Sequence, residues 1–180
     1  MSARIAQRAS CLCVVLSALS ARAAPGAVGV ETGVLVRQES ASDTSPHPWL
    51  GLRAGLDMQR WLRLTATYGL SYGLEGREPS ATTLQQRVAF MPEAMLSLGG
   101  PRVYLGLGVL ADLRAVSFRN QGAVYSNALR FAVGPAATTG LDVDVRQFRV
   151  RFGVGAALLN SRLDWSFTVA VERVFSEAHQ

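Results

Sequence analysis

Few side chains in this sequence could carry covalent or acid–base chemistry. There are two histidines, His47 and His179, and two cysteines, Cys11 and Cys13. Hydrolysis would need a base beside a serine or a water. His47, in Ser45-Pro46-His47-Pro48, has Ser45 and Ser80 as candidate partners, but no third group is in view to orient it. Prolines around a solvated imidazole are ordinary loop chemistry, and His179 follows the last patterned segment, so no catalytic residue is expected. The stretch Gly106-Leu107-Gly108-Val109-Leu110-Ala111 has the spacing of a dinucleotide fingerprint. That motif works as a glycine turn opening a helix, whereas these glycines alternate inside a strand-like run. No metal-ligand cluster is evident, and no cofactor is expected.

Charge is the more informative feature. Glu31, Asp57, Glu93, Asp112 and Glu172 are scattered singly among Arg53, Arg63, Arg87, Arg114, Arg130, Arg149 and Arg151. Each sits on the polar side of an alternating segment. The arginines form no basic patch with interleaved aromatics, so nucleic acid is not an expected partner. Isolated charges of both signs, spaced to meet across a narrow interior, suit an ion-pair network. Glu31, Arg53, Arg63, Arg87, Glu93, Arg149, Arg151 and Glu172 are its candidate members.

Residues 1–23 read as a transport address. Arg4 and Arg8 precede the apolar stretch Cys11 to Ala21, which ends in the small-residue run Ala21-Arg22-Ala23-Ala24. The apolar core is well short of the roughly 20 residues that cross a bilayer as a helix. Cleavage after Ala23 would remove both cysteines, excluding disulfides, thiolate metal sites and a cysteine nucleophile. It would also remove three arginines, lowering the formal charge from +5 to about +2. Residues 24–180 then form one domain.

What positions the charges is a repeated run of about ten residues with period-two alternation. In 27–37, Val28, Val30, Val34 and Val36 oppose Gly29, Glu31, Gly33 and Arg37. Further runs follow at 49–58, 62–72, 84–98, 103–114, 129–134, 148–158 and 165–172, giving about eight strands. Pro92 and Pro135 each remove a ladder donor and should mark a bulge or bend. Short connections are expected near Gln59, Gly100 and Val145, and longer polar loops at 38–48, 73–83 and 115–127, while the last connection, 160–162, is short.

Alternation does not say which face is outside. A soluble, lipocalin-like ligand-binding barrel would need a densely charged exterior, whereas these polar faces are mostly Gly, Ser, Thr and Ala. Turned toward lipid, each arginine would cost about 2–4 kcal/mol at mid-depth. The apolar face therefore points outward, and the sheet must close, because an open edge in lipid leaves backbone groups unpaired. Tyr68, Tyr72, Trp165, Phe148 and Phe175 share the lipid parity near strand ends, as interfacial belts require. Trp49 and Trp61 have the other parity.

This patterning, the loop rhythm and the aromatic-ended last strand (WSFTVAVERVF) resemble the bacterial eight-stranded outer-membrane barrels of the OmpA-barrel and OmpX type. The resemblance implies an all-β, closed antiparallel up-and-down transmembrane barrel in the cell outer membrane. It implies outer-membrane lipid, lipopolysaccharide and the barrel-assembly machinery as partners, with Phe175 as the assembly signal. The expected role is structural or surface-interacting, through the longer loops and with a lumen filled by side chains. A narrow channel or transporter is the alternative, and an envelope lipid-modifying enzyme using His47 a more distant one.

Overall fold

The computed structural model describes residues 25–38, 44–75, 80–120 and 123–175; the signal reading of 1–23 lies outside them. Eight strands follow in chain order: β1 (Gly26–Gln38), β2 (Thr44–Gln59), β3 (Leu62–Glu75), β4 (Ser80–Ser97), β5 (Arg102–Asn120), β6 (Ala123–Val145), β7 (Phe148–Leu159) and β8 (Arg162–Phe175). Each pairs antiparallel with its sequence neighbours, and β1 pairs with β8 to close the barrel.

The register fixes the barrel's shape. Stepping between paired residues from Val145 leads through Phe148, Arg173, Val28, Ala54, Ala66, Phe90 and Val109, and returns to β6 at Pro135, ten positions away. A stagger of ten over eight strands, with ordinary strand spacing and rise, tilts the strands by about 40° and gives a backbone radius of roughly 8 Å. Such an interior is filled by side chains from opposite walls.

The expected faces hold throughout. Leu50, Phe90, Leu107, Phe131, Phe152 and Phe167 point outward and are each more than half exposed, while Arg63, Glu93, Asp142, Arg149 and Arg151 point inward and are buried. This inverts a soluble protein, in which apolar area is removed from water, and makes the exterior a lipid-facing surface. Tyr72 and Trp165 lie toward one end of the wall and Phe148 and Phe175 toward the other, all exposed. Trp61 is exposed too, in the two-residue turn between β2 and β3, where strand parity no longer applies.

Three expectations are corrected. Pro92 and Pro135 shift no register, since Leu64 pairs with Pro92 and Val109 with Pro135, but each interrupts the ladder on its other side: β4–β5 pairing skips Met91 and Pro92, and β6–β7 pairing begins only at Ala136. Register shifts fall instead between Asp57 and Gln59 and between Phe118 and Arg119. The long loops are largely strand, since β2 begins at Thr44, β4 at Ser80, and β5 and β6 leave only 121–122 between them. His47, expected in a solvated loop, lies in β2 with its side chain buried. A Cβ at Gly73 would come within 1.9 Å of its Nδ1, so that glycine makes room for the ring. The side chains of Ser45 and Ser80 lie outside the described residues.

The wall is uneven. The β7–β8 connection is a two-residue turn, Asn160 and Ser161, both with positive φ as tight hairpin turns require. Pairing between β6 and β7 begins at Ala136, so β6 continues from Pro135 to Ala123 beside β5 alone. At 3.3 Å per residue and the barrel's tilt, the β5–β6 hairpin stands roughly 25 Å above the β7–β8 turn.

Candidate functional site: two ionic layers across the lumen

The inward charges sort into two layers. The first lies toward the end that carries the 59–62, 97–102 and 145–148 turns. Glu93, on β4, is its centre: it accepts two bonds of 2.9 Å from Nη1 of Arg151, one from Arg53, and one of 3.1 Å from Thr65 Oγ1. Arg151 also grips Asp142 in a bidentate pair, with Nε 2.6 Å from Oδ1 and Nη2 2.9 Å from Oδ2. Such fork-to-fork geometry is the strong form of an arginine–carboxylate contact. Arg53 reaches Glu31 at 3.2 Å and Glu172 at 3.0 Å. Arg63 bonds Asp57 at 2.5 Å and approaches Asp142 at 3.4 Å. Arg149 bonds Asp144 at 2.8 Å and stands 3.7 Å from Glu172.

Four buried arginines (Arg53, Arg63, Arg149, Arg151) thus face four buried acids (Glu31, Glu93, Asp142, Glu172). The balance matters because a buried charge without a partner is costly, whereas removal of both signs together is not. Glu172 is held by charge alone. Its oxygens make no hydrogen bond, yet Arg53, Arg63 and Arg149 all lie within 3.8 Å.

Aromatic rings complete the layer. Tyr104 lies under Arg151, whose guanidinium carbon is 3.8 Å from the ring centroid. Trp49 keeps the inward parity of its sequence position: it is buried, and its indole N–H donates to Glu31 at 3.1 Å. The ring crosses Gly69 of β3, where a Cβ would fall 2.2 Å from it.

The second layer lies toward the opposite end. Arg37 donates to Gln85 Oε1 at 2.5 Å, and Gln85 Nε2 donates to Asp112 Oδ2 at 2.5 Å. Arg87 bonds Asp164, with Asp112 3.5 Å away. Between the layers is a cavity of about 60 Å³, walled partly by Ala89, Leu110, Ala136 and Ala157.

Seven of the eight predicted network residues therefore meet in the first layer, and Arg87 belongs to the second. Asp142, Asp164, Gln85, Trp49 and Tyr104 were not among the candidates. The signal for Asp142 was the alternation Leu141, Val143, Val145, which extends β6 past Ala136-Ala137-Thr138-Thr139, a stretch of low hydrophobic contrast. No group of three or more His, Cys, Asp or Glu among the described residues could hold a metal ion.

No protein-family model and no curated protein matches the sequence. Solved structures do. Ail, the attachment invasion locus protein of Yersinia pestis, superposes with a TM-score of 0.62 at 12% identity, over 83% of this chain and 99% of that one. Neisserial surface protein A gives 0.62 at 13% identity, over 82% and 96%. The outer membrane protein OprG from Pseudomonas aeruginosa gives 0.60 at 12% identity, over 85% and 97%. The chain has the fold of the eight-stranded outer-membrane barrels.

Proposed function

We propose that this chain is a small, non-enzymatic barrel of the bacterial outer membrane, plugged by its own side chains, whose role is structural or exercised at its outer surface. The observation that carries this reading is the layer of four arginines and four acids across a lumen of roughly 8 Å backbone radius. Conduction would require ions to displace bidentate contacts such as Arg151–Asp142. The apolar exterior supports residence in lipid, and closure removes the edges that lipid forbids. The fold shared with Ail, an attachment invasion locus protein, and with a neisserial surface protein is consistent with work done outside the cell. The β5–β6 hairpin, with Leu129 72% exposed, is the element best placed to meet a partner. Outer-membrane lipid and lipopolysaccharide would surround the wall, and Phe175, outward-facing at the end of β8, would be read by the assembly machinery.

The test is conductance of the refolded barrel in a planar bilayer. Wild type should give no ion-conducting steps, and steady single-channel conductance would overturn the plugged reading in favour of a channel.

A further inference from the structure

The two layers differ in charge. The first, with its partly exposed edge included, sets five arginines (Arg53, Arg63, Arg102, Arg149, Arg151) against six acids (Glu31, Asp57, Glu93, Asp142, Asp144, Glu172). The second, among the described residues, gathers Arg37, Arg87, Arg114, Arg130 and Arg162 around Asp112 and Asp164. Where the low β7–β8 turn meets the inner faces of β5 and β6, Arg114, Arg130 and Arg162 line a pocket of about 170 Å³ with Asp112 and Asp164. Both acids are already engaged: Asp164 by Arg87, and Asp112 Oδ2 by Gln85, with Arg87 and Arg114 at 3.5 Å. Arg130 and Arg162 are exposed and make no ion pair with a described residue.

We propose that this pocket binds a phosphate group, with Arg130 and Arg162 taking its charged oxygens. Guanidinium forks match phosphate oxygens in pairs. At about 30 Å³ per water the pocket has room for a group of this size. The pocket lies beside the stretch of β6 that has no β7 partner, and its phosphate could be borne by a membrane lipid or by a soluble ligand. This inference rests on the outer-membrane orientation proposed above.

The experiment uses the full barrel refolded in nanodiscs of neutral lipid, with the heat-dependent gel shift checked first as proof of closure. Inorganic phosphate is titrated by calorimetry into wild type, Arg130→Gln/Arg162→Gln and, as a control remote from the pocket, Arg60→Gln. Saturable phosphate binding is expected in wild type and Arg60→Gln, weaker by at least tenfold in the double variant. No saturable phosphate binding by closed wild type, or equal binding by the double variant, would each overturn the proposal. Failure of the gel shift in wild type would instead strike at the barrel reading itself. Nanodiscs containing phosphatidic acid identify the source: loss of free-phosphate binding there assigns the site to a lipid phosphate, and unchanged binding to a soluble ligand.

Discussion

Replacing Glu93 by glutamine keeps the side chain's shape and removes the charge at the centre of the first layer. Glu93 is fully buried and accepts two bonds from Arg151, one from Arg53 and one from Thr65. Glutamine retains one acceptor oxygen and turns an amide donor toward a guanidinium, so about two charge-assisted bonds are lost, at roughly 1.5 kcal/mol or more each. Breaking a buried pair costs about 3–5 kcal/mol. The low end applies, because Arg53 keeps Glu31 and Glu172 and Arg151 keeps Asp142. The expected loss is about 3 kcal/mol, roughly a hundredfold in the folding equilibrium. Urea unfolding in lipid vesicles, followed by tryptophan fluorescence and the gel shift, measures it. Glu93→Gln/Arg151→Gln should cost less than the two single changes together, with a coupling of at least about 1 kcal/mol, as for residues in one network. A Glu93→Gln barrel within about 0.5 kcal/mol of wild type would refute the reasoning, since the lumen would then be solvating these charges freely.

Other outcomes follow from the same geometry. A Cβ at Gly29 would lie 2.1 Å from the backbone oxygen of Val171 across the closing seam. Gly29→Ala should therefore weaken closure by about 1–3 kcal/mol, seen as a lower temperature for the gel shift. Gly69→Ala drives a methyl group into the Trp49 ring, and its signature should be a changed tryptophan emission with the fold retained. Ser161 has φ 63° in the β7–β8 turn, so Ser161→Gly should stabilise the barrel by about 1 kcal/mol, read from the urea midpoint. Replacing 117–127 by Asn-Gly should leave assembly intact, because β6 above Ala136 has no β7 partner; loss of the gel shift would show the hairpin to be structural.

The strand count and the inward or outward parity were legible because each lipid-spanning segment must be apolar on one side and cannot be on the other. Val28, Val30 and Val34 against Glu31 suffice to orient β1. The hairpin lengths were not legible. Toward the loop end the outer face of a strand no longer has to be apolar, so alternation fades in 44–48, 80–83 and 115–128, and polar strand looks like loop. His47 was misplaced for this reason. The lower half of β6 failed differently, since Ala136-Ala137-Thr138-Thr139 offers small residues on both faces, and Asp142 was lost with it. Trp49 falls on the correct face, but its ring, which bonds Glu31, lies over Gly69 of β3, a cross-strand fact that spacing along one strand does not carry.

The seam between β1 and β8 joins the two ends of the described chain, Gly26 opposite Phe175. Contacts so distant in sequence are slow to form, because loop closure precedes their reward. Glu172 sits on that last strand, and its three arginine neighbours come from β2, β3 and β7. Until β8 docks, the first layer holds four buried arginines against three buried acids. A slip of one residue would turn Glu172 out to lipid and bring apolar Val171 or the exposed Arg173 into its place. The ionic layer thus favours one register of the final strand, the one that brings Glu172 to its three arginines.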